Sequence, residues 1–269
     1  MLDPTDIVIQ KGTCLDLKCS GSILLAGKTR SGKTTAALSI LGQIAVAGPD
    51  KYGSRIDLID PKCAELSMLP HATAPSLQGD ARPILSTLKA IDDIRISRQQ
   101  HLNGISKQTG NVAHWWTCGM HPCIVFIDEW VSARALFPKK VDKADPEYCL
   151  NSFDTCVKRL VTMGQSAGVF VMISTAEASV EEAGIPAMIR SAMTTKILLR
   201  PTLEEGALLW DRKKIEGFPE RRYQAGDAWF SSTDGIHDNV TFVQFPALEF
   251  SAYREMGQLL ARYYEGDRV

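Results

Sequence analysis

Short apolar runs alternate with amphipathic stretches along most of this chain, and the alternation predicts an α/β fold. Ile23-Leu24-Leu25-Ala26 carries no polar side chain, as a parallel strand buried on both faces requires. Further strands are expected at residues 55–60, 123–127, 169–175 and 195–200, then from Gly226-Asp227-Ala228-Trp229-Phe230 onward and over 240–245. Helices are expected between them. The first covers residues 32–47 and is stopped by Gly48-Pro49. The second covers 81–102, where Ile84, Leu85, Leu88, Ile91 and Ile94 recur with charges between them. Others cover 148–166 and 252–264, with a helix or turn through 186–190 and a short helix within 201–212. Residues 7–18 read as an edge hairpin turning at Lys11-Gly12-Thr13. Residues 103–120 read as a polar loop in which Trp115-Trp116 is a packing anchor rather than a base-stacking platform, since no basic residue flanks it closely. Residues 135–146, with Lys139, Lys140, Asp142, Lys143 and Asp145, read as a solvated surface loop, a ligand-gripping role being the other reading.

No repeat, low-complexity tract or linker interrupts this order, so residues 1–269 are expected to form one domain, with 1–22 as a hairpin at its edge. The implied fold is a mostly parallel central sheet with helices on both faces and a ligand at the carboxyl ends of the strands. A hydrophobic share of 45% with 23% charged residues is that of a soluble globular protein. The formal net charge of −1 supplies no bulk positive field, so nucleic-acid or membrane binding must come from local patches or from symmetry that gathers them. The seven scattered cysteines suit reduced thiols in the cytoplasm. His114, Cys118, His121 and Cys123 lie close together, yet their spacing matches no zinc pattern and Cys123 opens a core strand. No apolar run reaches the length of a membrane span and the N-terminus carries no basic-then-apolar signal, so the chain as given is expected to be soluble.

Chemistry concentrates at Gly27-Lys28-Thr29-Arg30-Ser31-Gly32-Lys33-Thr34, a G-x-x-x-x-G-K-[ST] pattern set between the first core strand and a helix that continues from Thr35. Glycines at both ends allow consecutive N–H groups to turn inward around a polyphosphate, and the helix dipole adds favourable field. Lys33 would reach the β and γ phosphates of ATP and the Thr34 hydroxyl would ligate Mg²⁺. Asp128-Glu129 closes the strand at 123–127 and supplies the remaining acids: Asp128 to support the metal through its water shell, Glu129 to orient and deprotonate the attacking water. Thr175, at the end of the next strand, is either a γ-phosphate sensor or a strand-end cap.

In this order the motifs resemble the motor domain of the FtsK/SpoIIIE family, in the HerA/FtsK group of RecA-like P-loop ATPases. The resemblance rests on Leu58-Ile59-Asp60-Pro61-Lys62 followed by Glu65-Leu66, and on Phe126-Ile127-Asp128-Glu129. It rests also on Arg159-Leu160 followed by Ala167-Gly168 and a strand ending in Thr175, and on Gly226-Asp227-Ala228-Trp229-Phe230. Two departures stand out. The family continues the Thr175 strand as Thr-Gln-Arg-Pro, where this chain has Ala176-Glu177-Ala178, and Gln165 stands where the family often has a basic residue.

The resemblance implies a RecA-like motor that hydrolyses ATP with Mg²⁺, assembles into a ring, habitually a hexamer, and moves double-stranded DNA through its centre. It also implies that a neighbouring subunit supplies a cation to the γ-phosphate, for which Arg159 is the first candidate and Arg190 the second; an ordinary salt-bridge arginine is the other reading of each. The chain looks like an excised motor or a smaller relative akin to the transfer ATPases of conjugative elements, cytoplasmic and working with membrane-anchored transfer or secretion machinery. Two other classes share the motifs: a protein-secretion ATPase of type VII kind, and a nucleotide-gated assembly module with little turnover.

Overall fold

A computed structural model of the chain describes residues 5–76, 78–176, 184–219, 221–248 and 251–265. Its centre is β3 (Ile23–Ala26), hydrogen-bonded in parallel to β7 (Val169–Thr175) on one side and β8 (Thr195–Leu199) on the other. Beyond β7 lie β6 (Cys123–Ile127), β4 (Ile56–Ile59) and the short β5 (Ala72–Thr73), all parallel. Beyond β8 the direction reverses: β9 (Asp227–Ser232) and β10 (Thr241–Gln244) extend the sheet antiparallel, giving the order β10-β9-β8-β3-β7-β6-β4-β5. The reversal between β9 and β10 is forced by their short connection, because a parallel return needs a crossover of a dozen residues or more.

Side-chain alternation divides the core in two. Ile23, Leu25, Leu58, Phe126 and Met172 point to one face, and Leu24, Ala26, Ile59, Val125 and Ile173 to the other. Helix α1 (Lys33–Val46) covers the first face with α7 (Ala252–Glu265) and the hairpin β1 (Asp6–Gln10) and β2 (Thr13–Asp16). Helices α2 (Arg82–Thr109), α3 (Trp130–Ala135), α4 (Leu150–Met163), α5 (Ala187–Ala192) and α6 (Leu203–Leu209) contribute to the second. Right-handed crossovers account for the split: α1 carries the chain from β3 outward past β7 and β6 to β4, whereas α2 and α4 carry it back. Phosphate-loop chemistry is thereby placed at the centre of the sheet crest, where the connections change direction.

The expected end of the second helix changes. The second helix runs to Thr109, seven positions beyond the expected end at 102; its last turns are polar, with Ser106 and Thr109 hydroxyls donating to the Leu102 and Ile105 carbonyls, and Gly110, at φ 71°, closes it. Behind it the expected packing anchor is Trp115, fully buried with its ring edge-on to Phe170 at a centroid separation of 5.9 Å, while Trp116 stacks on His114 at 4.4 Å. His121 and Cys123 do not join these residues in a metal site. The His121 Nδ1 meets the Gly48 carbonyl at 2.8 Å, and burial pushes the Cys123 thiol up to about 12. All seven cysteines are free thiols.

Below the parallel strands Arg98 is buried against Asp50 at 3.0 Å and also donates to the carbonyls of Tyr52 and His121. This tie joins α2 to the connections entering β4 and β6. Replacing Arg98 by Met leaves Asp50 as an unpaired buried charge, so chemical denaturation should show a loss of roughly 3–5 kcal/mol, seen as a lower midpoint at unchanged slope.

Candidate nucleotide site

The loop between β3 and α1 is held by the end of β7 and by the turn that enters β9. The Gly27 N–H donates to the Thr175 carbonyl at 3.2 Å, and the Gly226 N–H donates to the Ser31 carbonyl at 3.2 Å. Gly27 sits at φ 143°, and a Cβ there would lie 2.5 Å from the Leu199 carbonyl oxygen. Gly32 sits at φ 101° with Gly226 against it, so glycine is required at both ends of the loop by conformation and at Gly27 also by space. Lys28, Thr29 and Arg30 form the exposed crest, while Ser31 and Lys33 are buried and Thr34 and Thr35 are half-buried on the first turn of α1. Lys33 curls back under the loop: its Nζ donates to the Gly27 carbonyl at 2.6 Å and the Lys28 carbonyl at 3.0 Å. Burial lowers its pKa, and Glu129 and then Asp128 oppose that shift, which sets both acids within electrostatic reach of the ammonium.

Those acids are held by a hydroxyl. The register that pairs Ile127 with Ile173 sets Asp128 beside Ser174, whose Oγ donates to Asp128 Oδ1 at 2.6 Å and accepts the Glu129 N–H at 2.8 Å. Glu129 adopts φ 53°, a left-handed conformation that costs a non-glycine residue on the order of 1–3 kcal/mol and is kept only by such over-determination. Its carboxylate accepts the Ala176 N–H at 3.2 Å and lies 3.4 Å from Lys62 Nζ. Burial raises the pKa of Asp128 most; the Ser174 hydrogen bond opposes the rise, and the charges of Asp60 and Glu129 add to it. Asp60 is itself fixed, accepting from the N–H groups of Lys62, Ala64 and Ser67 and from the Ser67 hydroxyl, so the Asp60-Pro61-Lys62 turn is a rigid mount that aims Lys62 at Glu129.

Lys33, Asp128 and Glu129 are thus brought together at the loop. Thr175 contributes its carbonyl to Gly27, with its side chain buried, and the hydroxyl that touches the acids belongs to Ser174 one position earlier. Arg159 stands apart on α4, half exposed and 3.6 Å from Asp92 on α2. Arg190, on α5, donates to the Leu208 carbonyl at 3.4 Å. Glu177 and Ala178, which depart from the Thr-Gln-Arg-Pro pattern, lie outside the described residues; Gln165 donates to the Cys19 carbonyl at 3.1 Å. Four residues enter the site without having been singled out for it: Ser174, Lys62, Arg200, which donates to the Arg30 carbonyl at 3.4 Å, and Glu205, 3.9 Å from Lys28 Nζ. Lys62 had a signal, since it belongs to the Asp-Pro-Lys element; the others depend on strand register and on the β8 crossover.

The donor set fits a polyphosphate chelating a divalent cation. A cradle that a Cβ would fill, a buried ammonium bonded to loop carbonyls, and a buried Ser31 hydroxyl that has no partner among the described residues face a pair of carboxylates. Fold and loop together define a phosphate-loop α/β protein.

No family model and no curated protein matches the sequence. Solved structures do match. The conjugation coupling protein TcpA of pCW3, in its monomer form with ATPγS, superposes with a TM-score of 0.70 at 17% identity over 97% of this chain and 71% of that one. EssC (ATPases 2 and 3) from Geobacillus thermodenitrificans gives 0.61 at 16% identity, covering 95% of this chain and 46% of its own. EccC (ATPases 2 and 3) from Thermomonospora curvata, in complex with a signal sequence peptide, gives 0.58 at 17% identity, covering 94% and 44%. This chain therefore spans less than half of the latter two. At such identities the likeness is one of fold: the chain has the fold of FtsK/HerA-type P-loop ATPase motors.

The raised pKa of Asp128 predicts a stability effect of definite sign. A carboxyl whose folded pKa lies above its unfolded one costs stability where it is ionised, and the cost fades as pH falls through the folded value. Asp128→Asn should therefore unfold at higher denaturant than the parent at neutral pH, with the gain shrinking as the solution is acidified; equal midpoints at pH 7 would contradict the assigned burial.

Proposed function

We propose that this chain is a Mg²⁺-dependent ATPase motor of FtsK/SpoIIIE type that works as a ring, a hexamer by family habit, and translocates double-stranded DNA. The observation that carries the nucleotide reading is the meeting of buried Lys33 with Asp128 and Glu129, two acids fixed by one hydroxyl, over a glycine-bounded helix start. In this reading the loop from Gly27 to Thr35 receives the phosphates on backbone N–H groups other than that of Gly27, which the Thr175 carbonyl holds, and Lys33 exchanges its loop carbonyls for phosphate oxygens. Thr34 and, through water, Asp128 would hold the metal, which would supply neutralisation of the charge on the phosphates. Glu129, steadied by the Ala176 N–H and Lys62, accepts the proton of the attacking water. Thr175, or Ser174 beside it, reports the state of the γ-phosphate to β7.

A cation from a neighbouring subunit would complete the site, and Arg159 remains the first residue to test for it, with Arg190 second. The exposed Lys139-Lys140 loop would be gathered around the ring axis, which answers the near-neutral net charge. DNA is favoured over polypeptide by the likeness of 0.70 to a conjugation coupling protein across 97% of the chain. The protein found with a signal sequence peptide supports the polypeptide alternative. Among the described residues no helix is long and apolar enough to cross a membrane.

Lys33→Ala should abolish binding of a fluorescent ATP analogue. Glu129→Gln should bind it normally and turn over at least about 10²-fold more slowly; hydrolysis at the parent rate would remove the proton-accepting role. ATPase activity should rise on addition of duplex DNA at low salt, and the stimulation should decline as salt is raised, because phosphate contacts release counterions. Stimulation by a peptide and not by duplex would assign the motor to secretion.

A further inference from the structure

Away from the phosphate loop, a cavity of about 130 Å³ lies where β8 begins and β9 ends, lined by Thr194, Lys196, Lys214, Ser231 and Thr233. Lys196 is the second residue of β8 and pairs with Leu24, near the start of β3, whereas the phosphate loop follows Ala26 at the other end of that strand. Directly across from Lys196 on β9 stands Ser231, so ammonium and hydroxyl emerge on the same face of the sheet.

The charge here is poorly matched by its surroundings. Lys196 is half-buried, and its Nζ donates to the Leu209 carbonyl at 3.0 Å, which uses one of three N–H donors. Burial lowers its pKa, and the charges that act on it, those of Arg190 and Lys214, are cationic and push the same way. Asp238 also lines the cavity, its backbone carbonyl accepting from Lys214 Nζ at 3.4 Å. The hydroxyls are set to donate: Ser231 Oγ accepts the Trp210 indole N–H at 2.7 Å and Thr194 Oγ1 accepts the Gly21 N–H at 2.7 Å, so the hydrogen of each is available to a further acceptor.

We infer that this cavity is an oxyanion site for a phosphoryl group, with Lys196 as its charged contact and Ser231, Thr194 and Thr233 as hydroxyl donors. Donors reaching in from β8, β9 and the segments flanking them suit a tetrahedral anion better than a planar one, and two or three clustered cations suit a phosphate. Free orthophosphate and a phosphodiester of nucleic acid present the same chemistry. Neither the site nor its ligand depends on the nucleotide reading, since the two lie at opposite ends of β3.

The test uses the full chain carrying Lys33→Ala, so that the phosphate loop does not take up the probe. Equilibrium dialysis of labelled orthophosphate at constant ionic strength should give one saturable equivalent. Adding Lys196→Gln should weaken it at least about tenfold. Thr233→Val, a change at an exposed position that leaves the packed strands alone, should weaken it about threefold or more and serves if the first variant folds poorly. In parallel, Lys196→Gln alone is titrated against a fluorescent DNA duplex at low salt. Loss in both assays, or in the duplex assay alone, identifies a phosphodiester site; loss in dialysis alone identifies a free-phosphate site. If neither probe distinguishes these variants from their parents, the inference is wrong.

Discussion

Everything at the crest of this molecule depends on β3 being buried on both faces and pinned on both edges. With Ala26 opposite Thr175 on one side and Leu198 on the other, the chain leaves the sheet at a single place and height. The Thr175 carbonyl then takes the Gly27 N–H, and Leu199 closes so tightly on Gly27 that a methyl group there would meet its carbonyl oxygen. The loop is therefore shaped by the sheet before any ligand arrives. That is the preorganisation an oxyanion site requires, since dipoles already aimed need no rearrangement when charge appears.

The same register that pins the loop gathers the acids. β6 and β7 pair so that Asp128 and Glu129 emerge beside Ser174, and one hydroxyl serves the carboxylate of the first and the backbone of the second. Asp60 is drawn close from β4, and its turn returns Lys62 to Glu129. The cluster opposes stability in three ways: a desolvated Asp128, like charges crowded at one strand end, and Glu129 in a left-handed backbone. Hydrogen bonds from rigid neighbours keep it assembled, and a bound cation would relieve it. A site of this kind is where a fold gives up stability for chemistry.

At the opposite end of β8 a different imbalance appears, positive where the carboxylates crowded at the crest are negative. Lys196 is held half-buried among cations by strand pairing that leaves it no choice of face. The two ends of one sheet thus carry complementary electrostatic tensions, joined through β3 and β8.

Much of this was written in the sequence by itself. Uninterrupted apolar runs mark strands covered on both faces, so β3, β6 and β7 could be placed to within a residue, and the spacing of Gly27, Gly32, Lys33 and Thr34 fixes a phosphate loop because only that spacing turns the backbone donors inward. Local chemistry also gave the hairpin turn and the helix stop at Gly48. It did not give the end of α2, which runs on to the left-handed Gly110 after the apolar period has already faded. Nor could it choose between Ser174 and Thr175: both hydroxyls end one strand, and which of them meets the acids is settled by the β6–β7 register. Lys62, Arg200 and Glu205 reach the site only through folded connections. Residue type and spacing decide what a segment can do; the partners it meets across the sheet are set by long-range pairing, which no local pattern encodes.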